Sequence, residues 1–431
     1  MIAKALVLFG LMFLFLCLRF PVFASLGMAV AGIFFLFPGS IPVAVIGQGF
    51  ISGMNSYNFC AILFYFLLGE IMNYGSMSDR LVNFGKATIG HIRGSLSHIN
   101  ILASVIFAGV SGSATADTAA IGSLMIPMMK KDGYDGEYAA AVTGASSCIG
   151  PIIPPSGGLV LMGVYLSCSI NKLFLGGMIP GLLMGIFQLF VSYWISVKRQ
   201  YPKGTWEGWK HLIKTGKSSF FAFMLPVIVV YCLVAGVGTV VEIGAIAVVC
   251  AVIISAFLYR GMNFKQFCLC FARAAMMAAK VLPCLAVAGV FTWIISSIGV
   301  SSTLQAMLMG ATENPTAALA LMMLVLLLFG MILDVNVIQM VIVPAMVPIV
   351  KAFGIDPIQF GVVGMLVCQM GLITPPVGTL IYITASIAEV NPLKVARELL
   401  PFILALIVLV TLMILFPGIT TWFPNLVYAA G

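Results

Sequence analysis

The stretch GPIIPPSGGL at residues 150–159 recurs, with small changes, as GLITPPVGTL at residues 371–380. In both copies a glycine is followed four residues later by a pair of prolines, and each matching residue of the second copy is numbered 221 higher. Proline has no backbone N–H and its ring collides with the preceding turn, so paired prolines stop an α-helix. The sequence therefore predicts two helices that are interrupted at equivalent positions.

The same offset extends the repeat toward the N-terminus of each copy. IPMMKKDGYDGEY at 126–138 aligns with VPIVKAFGIDPIQ at 347–359, where a proline, a glycine and an aspartate coincide. Further upstream, each copy has a polar interruption of an apolar run, AGVSGSATADTAAIGS at 108–123 and FGMILDVNVIQ at 329–339. Duplicated breaks of this kind are the best indication of a transporter binding site that a sequence offers.

Asp117 and Asp334 are the acids of these interruptions. Because their numbers differ by 217 rather than 221, pairing them predicts four additional residues in the second copy. Acids at membrane depth are costly and are functional by default. They either ligate sodium or cap the N-terminus of a half-helix. The helix-forming sequence after Asp117 favours the cap for that residue.

Composition places most of this chain in lipid. It has 431 residues, of which 62% are hydrophobic and 8% charged, and its mean hydropathy is +1.16. A soluble domain is about 45–50% apolar and about 25% charged. A membrane span needs about 20 apolar residues, so we expect roughly a dozen hydrophobic helices, some of half length. The predicted fold class is an all-α polytopic membrane protein with two structural repeats, each containing a re-entrant hairpin and a broken helix.

The net charge of +8 is concentrated in short loops and does not indicate nucleic-acid binding. The densest cluster consists of Lys198, Arg199, Lys203, Lys210, Lys214 and Lys217. Lys and Arg are retained on the cytoplasmic side, so this loop is predicted to face the cytoplasm. Two apolar runs near 219–235 and 241–259 follow as a helical hairpin.

These features divide the chain into four parts. Residues 1–40 are N-terminal scaffold helices, and 41–200 are the first repeat with its hairpin and broken helix. Residues 201–260 are the basic loop with the connecting helical hairpin, and 261–431 are the second repeat with the C-terminal helix. Whether the repeats are parallel or inverted depends on the number of crossings between them, which half-length segments leave open.

The two kinds of break supply the oxygen ligands that sodium requires. Unwound carbonyls and hydroxyls provide them without the desolvation of a full charge, and irregular backbone at membrane depth is tolerated only where it is buried in protein or lines a cavity. We expect two or more sodium ions, with one site in each repeat, at Ser111, Gly112, Ser113, Gly150, Pro154, Ser156, Gly330, Asp334, Gly371, Thr374 and Gly378. The substrate is expected at Ser113, Thr115, Asp117, Pro155, Ser156, Asp334, Asn336, Pro376 and Thr379.

The candidate core segments contain no cationic side chain. Neither Lys nor Arg occurs in 94–129, 138–171, 281–350 or 357–393. An anionic substrate would therefore be balanced by helix N-termini, hydroxyls and bound cations. This arrangement fits a substrate that enters together with sodium.

The sequence lacks the complete motifs for ATP binding, intramembrane proteolysis and zinc binding. TGKSS at 215–219 resembles a phosphate loop, but His211 stands where that motif requires a glycine, so no ATP binding is expected. The acid of GMILD at 330–334 lacks the G-x-G-D setting of intramembrane aspartyl proteases, and the three histidines form no zinc-binding pair. An intramembrane enzyme is therefore a remote alternative, and we expect the chain not to be an enzyme.

Four motifs occur in a fixed order along the chain: SGSATADTAAIGSLMIPMM (111–129), KKDGYD (130–135), GPIIPPS (150–156) and GLITPPVG (371–378). Together they resemble the large membrane subunit of tripartite ATP-independent periplasmic (TRAP) transporters, along nearly the whole chain. The resemblance implies an elevator mechanism, in which the hairpins and broken helices move within a scaffold.

The resemblance also implies a multi-pass location in a bacterial inner membrane and sodium-driven uptake of a small organic acid, such as a C4-dicarboxylate or sialic acid. A small membrane subunit of about four helices and a periplasmic substrate-binding protein are the implied partners, besides the lipid bilayer. The alternative is a self-sufficient sodium/organic-anion symporter of similar architecture, which works without a binding protein.

Overall fold

The computed structural model describes residues 2–428 except 19, 40, 41, 55–58, 76, 112 and 204–207. Within these ranges the chain forms α-helices and one π-helical turn, and the β pairing is limited to an isolated bridge between Arg93 and Lys203. The predicted all-α fold is confirmed.

The helices fall into two halves on either side of the basic loop. The first half contains α1 (Ile2–Cys17), α2 (Val22–Leu36), α3 (Val43–Met54), α4 (Phe59–Tyr74), α5 (Met77–Ile89), α6 (Ser95–Ser111), α7 (Ala114–Lys131), α8 (Gly136–Ser147), α9 (Gly157–Leu166) and α10 (Ile170–Lys198). The second half contains α11 (Trp209–Val234), α12 (Val240–Ile253) with the π turn Ile254–Leu258, α13 (Phe264–Ile298), α14 (Val300–Ala311), α15 (Pro315–Gly330), α16 (Val335–Ala352), α17 (Pro357–Gly371), α18 (Thr379–Ala388), α19 (Pro392–Leu415) and α20 (Gly418–Tyr428).

Six helices of the described chain are long and apolar enough to cross a membrane, namely α10, α11, α12 with its π turn, α13, α16 and α19. Eight shorter apolar helices accompany them: α1, α2, α4, α6, α9, α15, α17 and α18. The expected set of roughly a dozen hydrophobic helices, some of half length, is confirmed. The predicted hairpin after the basic loop is formed by α11 and α12.

All four predicted helix breaks are present. The polar interruptions separate α6 from α7 and α15 from α16, and the proline pairs separate α8 from α9 and α17 from α18. A cis peptide bond joins the two prolines in each pair. The arms around each polar break pack against each other, α6 against α7 and α15 against α16, and form the hairpin of each repeat. The arms around each proline break, α8 with α9 and α17 with α18, do not fold back on each other and form the broken helix.

The predicted four-residue gap between the repeats is wrong. α7 and α16 each have 18 residues, and both ends of α16 are numbered 221 higher than those of α7. The N-cap residues are Ser113 and Asp334, which obey the same offset. Asp334 therefore corresponds to Ser113 and not to Asp117, because helix geometry fixes the alignment whereas the shared acid type does not.

The two repeats interlock reciprocally. α9 of the first repeat packs against α16 and α17 of the second, while α18 of the second packs against α7 and α8 of the first. Cys148 Sγ lies 3.3 Å from the carbonyl oxygen of Gln369, and these positions are also 221 apart. Contacts between equivalent positions are the mark of a two-fold relation, so this pair lies near the axis that relates the repeats.

The helices α1–α5 and α11–α13 form a second set that contacts mainly its own members. α13 packs against α2, α3 and α4, while α4 packs against α12, and α11 packs against α5 and α12. The duplicated elements, the repeats α6–α10 and α15–α19, contact this second set mainly through α4, α5 and α13.

Candidate functional site

A cavity of about 320 Å³ lies where the two polar breaks meet. Its described lining comes from both repeats and from two helices of the second set: Ile62, Phe66, Gly69, Glu70, Ser113, Ala114, Thr115, Ala116, Pro151, Gly157, Gly158, Leu161, Met277, Asp334, Val335, Asn336, Met365, Gln369 and Leu372. The structure thus brings together two predicted substrate residues of the first repeat, Ser113 and Thr115, and two of the second, Asp334 and Asn336. The two pairs are more than 200 positions apart in the chain.

The N-terminus of α7 forms one wall of this cavity. Ser113 is the N-cap: its Oγ accepts a hydrogen bond of 3.4 Å from the Ala116 amide and lies 3.1 Å from Thr115 Oγ1. A cap of this kind satisfies one of the amides that a helix start leaves without a backbone partner. Two predicted site hydroxyls therefore lie side by side at the cavity wall.

The N-terminus of α16 forms the opposing wall. Asp334 caps this helix, and its Oδ1 accepts hydrogen bonds of 2.9 Å and 2.8 Å from the backbone and side-chain amides of Asn336. The capping role predicted for Asp334 is thus observed. Its carboxylate also lines the cavity.

The first turns of two 18-residue helices consequently line one cavity. A helix N-terminus carries a partial positive charge of roughly half a unit, and its first amides point outward, which favours bound anions. The lining side chains described here include two carboxylates, Glu70 and Asp334, and neither Lys nor Arg. The helix N-termini thus give the cavity a positive potential that favours an anion. The side-chain oxygens in its lining are suitable ligands for a cation.

Asp117 lies next to the cavity wall rather than in it. It is in the first turn of α7, buried to 2% exposure, and a Cβ added to Gly150 would collide with its Oδ2. Ser113, not Asp117, is the N-cap of α7, and Asp117 interacts with the helix dipole from the first turn. The first polar break and the first proline break of this repeat are therefore in direct contact.

The first proline break is held by its own polar groups. Ser156 Oγ donates a 2.6 Å hydrogen bond to the carbonyl of Pro151, a lining residue, and accepts one of 3.2 Å from the Leu159 amide as the N-cap of α9. Pro154 and Pro155 are buried beside it. Pro154, Pro155 and Ser156 therefore lie close to the lining residue Pro151 but are not part of the described lining.

The second repeat makes the equivalent contact through backbone alone. A Cβ on Gly371 would lie 2.6 Å from the Cα of Gly330, so only glycine permits this approach. The Gly378 amide donates a 3.2 Å hydrogen bond to the carbonyl of Met331, and Thr374 Oγ1 donates one of 2.7 Å to the carbonyl of Met370. The second polar break and the second proline break are therefore also joined.

Several predicted residues stand apart from the described lining. Pro376 is exposed at the second proline break, and Thr379 is half-buried at the start of α18. Gly112 and the side chain of Ser111 lie outside the described residues.

Sequence reasoning missed Glu70 and Gln369. Both line the cavity, and Gln369 Oε1 is buried without a hydrogen-bond partner among the described residues. Glu70 stands in the apolar stretch FCAILFYFLLGEIMNY at 59–74, so the rule that singled out Asp117 and Asp334, an acid within an apolar run, also applies to it.

Comparison with known protein families shows to which family this chain belongs. Residues 9–419 match the family described as "Tripartite ATP-independent periplasmic transporter, DctM component". The chain belongs to this family. It is therefore a multi-pass protein of the bacterial inner membrane and the large permease component of a TRAP transporter that takes up a substrate.

Individual relatives agree with this assignment. The chain is 33% identical over 402 residues to the sialic acid TRAP transporter large permease protein SiaM of Vibrio cholerae, covering 93% of this chain and 94% of the relative. It is 32% identical over 377 residues to the 2,3-diketo-L-gulonate TRAP large permease YiaN of Escherichia coli, covering 88% and 89%. It is 28% identical over 427 residues to the C4-dicarboxylate TRAP large permease DctM of Vibrio cholerae, covering 94% of each chain.

A solved structure shares the fold. The YdaH transporter of Alcanivorax borkumensis superimposes with a TM-score of 0.67 over 91% of this chain and 90% of that one, at 13% identity. At that identity the likeness concerns the fold of the TRAP permease alone.

Proposed function

We propose that this TRAP permease imports a small organic acid, driven by sodium, and that the cavity between the N-termini of α7 and α16 is the transport site. The observation that carries the proposal is the convergence of Ser113 and Thr115 from one repeat with Asp334 and Asn336 from the other. Its relatives are named for sialic acid, 2,3-diketo-L-gulonate and C4-dicarboxylates, all of which carry a carboxylate.

Sodium would be held by the oxygen atoms at the two pairs of joined breaks. In the first repeat these are Ser113 Oγ, the nearby Asp117 carboxylate and the carbonyls around Gly150. In the second repeat they are the Asp334 carboxylate and the carbonyls where Gly330 meets Gly371. Hydroxyls, carboxylates and carbonyls are hard oxygen donors, the chemistry that unwound transporter helices offer to sodium.

The repeats would move as one body in an elevator mechanism. Their reciprocal packing supports this proposal, because α9 and α18 each cross to the other repeat, while α2, α3, α4, α12 and α13 pack mainly among themselves. The family is one component of a tripartite transporter. We propose a small four-helix membrane subunit and a periplasmic binding protein as the other two components.

The deciding experiment is uptake into proteoliposomes that contain this chain and its small subunit, under an inward sodium gradient. The labelled acid is the member of a panel of sialic acid, 2,3-diketo-L-gulonate and succinate that thermally stabilises the cognate binding protein. Uptake that requires both sodium and the binding protein is expected. Equal uptake with choline in place of sodium would overturn the coupling ion, and uptake without the binding protein would establish a self-sufficient symporter.

A further inference from the structure

Glu70 is an unexpected residue in the proposed path of an anion. It lines the cavity from α4, where its side chain is only 15% exposed, and it adds a second carboxylate to that of Asp334. A negative side chain repels an entering carboxylate, and the repulsion is strong where the surroundings exclude water. Some positive group must therefore offset it when the substrate binds.

Arg273 of α13 is positioned for that role. Its Nη1 lies 3.9 Å from Glu70 Oε2, and its guanidinium lies over the ring of Tyr74, 4.9 Å from the centroid. Glu70 and Tyr74 are one turn apart on α4, so this helix contacts the guanidinium from two successive turns. Met277, one turn further along α13, lines the cavity, so Arg273 lies on the same face of α13 as the cavity wall.

The pairing of Arg273 with Glu70 is loose. A separation of 3.9 Å exceeds hydrogen-bond distance, and the Arg273 side chain is 44% exposed. An ion pair of this kind contributes little to stability. A guanidinium forms much stronger paired hydrogen bonds with a carboxylate that it meets in the correct plane.

We propose that Arg273 binds the carboxylate of the substrate and that Glu70 holds its guanidinium until the substrate arrives. This assignment rests on the proposed function and adds a side-chain counter-charge to the helix N-termini. Substrate entry exchanges one carboxylate partner of Arg273 for another. The released Glu70 carboxylate then faces the cavity, where a coupled cation offsets its charge.

The proposal predicts opposite effects of removing the two charges. In the same proteoliposome assay and with the same acid, Arg273→Gln should raise the KM for the acid by about ten- to hundredfold, because a charge-assisted pair is lost. Glu70→Gln should lower the KM by about two- to fivefold, because the competing partner is gone. A purely structural ion pair predicts a change in the same direction for both variants.

Lys265→Gln is the matched control. Lys265 is an exposed cation of the same helix, eight residues or about 12 Å before Arg273. Its replacement removes the same charge and should leave the KM unchanged. Melting temperatures of the purified variants report whether any of them is misfolded, and Arg273→Lys, which keeps the charge without the planar fork, should give an intermediate KM.

Two results would overturn the assignment: an unchanged KM in Arg273→Gln, or KM changes of the same sign in Arg273→Gln and Glu70→Gln. Both presuppose that the wild-type protein takes up the acid under a sodium gradient. If the wild type shows no such uptake, the proposed function fails and the assignment fails with it, so the two failures are distinguishable.

Discussion

Asp334 has two separable properties, a capping oxygen and a charge. Asparagine caps a helix about as well as aspartate, so Asp334→Asn should leave the free energy of unfolding within about 0.5 kcal/mol of the wild type. If the carboxylate binds sodium, sodium-driven uptake should nevertheless fall about tenfold or more. Uptake and thermal unfolding, measured on one protein preparation, test both parts.

Asp356→Asn is the control for that variant. Asp356 caps α17 by accepting a 2.7 Å hydrogen bond from the Ile358 amide, and it is absent from the cavity lining described here. Its replacement should change neither uptake nor stability. If Asp334→Asn also retained full uptake, the role of Asp334 would be capping alone.

Ser113 is the neutral counterpart of Asp334. Ser113→Ala removes a cap that is worth about 1 kcal/mol and also a proposed sodium ligand. We expect the sodium concentration for half-maximal uptake to rise several-fold while most of the protein remains folded. Ser123→Ala, on the exposed side of the same helix, should shift neither quantity. An unchanged sodium activation curve in Ser113→Ala would remove Ser113 from the site.

Local signals in the sequence located residues that the structure brings together. Ser113, Thr115, Asp334 and Asn336 stand at helix breaks marked by the sequence, and they line one cavity. Glu70 carries a local signal too, an acid within an apolar run, but its position beside this cavity depends on packing against helices more than 200 positions away. No local pattern encodes that proximity.

The helix breaks themselves are elements on which transport should depend. Alanine favours a helix over proline by about 3 kcal/mol, so Pro154→Ala or Pro375→Ala should let α8 or α17 extend into the proline break. We expect uptake per inserted molecule to fall about tenfold, with a smaller change in the amount inserted. Pro357→Ala is the control, because Pro357 occupies the first position of α17, where proline is tolerated. Wild-type uptake per molecule in Pro154→Ala and Pro375→Ala would contradict the role of the breaks.

The repeat could be found from sequence at the element level because proline and glycine mark backbone geometry directly. The alignment failed at Asp117, where an acid was matched by its type. The interior of the first repeat also differs from that of the second: Asn100 donates a 2.6 Å hydrogen bond to Thr143 Oγ1, and Ser104 donates one of 2.9 Å to Ser146 Oγ. The positions 221 residues later are Leu321, Gly364, Val325 and Val367. The two repeats therefore share one helix geometry, although polar side chains occupy these interior positions in the first repeat and apolar residues or glycine occupy them in the second.

At the scale of the whole molecule, the cavity wall is shared between two sets of helices. Ile62, Phe66, Gly69 and Glu70 come from α4 and Met277 from α13, both in the second set, while the rest of the described lining comes from the repeats. If the repeats move as one body, every transport cycle must separate Phe66 from Gly157, whose added Cβ would lie 3.5 Å from the Phe66 ring.

A cross-link between the two sets should therefore stop transport. In a background with the exposed Cys60 and Cys268 replaced by serine, a short bis-methanethiosulfonate reagent, which forms reducible disulfide bonds, would join Phe66→Cys to Gly157→Cys. Uptake should be abolished by the reagent and restored by reduction, whereas sodium-dependent thermal stabilisation of the purified protein should persist, since binding needs no sliding between the sets.

The control cross-link lies within the moving body. A Cβ on Gly136 would lie 3.1 Å from Val390 Cγ1, which joins the start of α8 to the segment that follows α18. Cross-linked Gly136→Cys with Val390→Cys should keep its uptake, because both residues belong to the repeats and travel together. If this pair also stopped uptake, the repeats would have to move relative to each other. If the pair at Phe66 and Gly157 left uptake intact, the repeats would not slide past α4, and the elevator mechanism would be wrong for this permease.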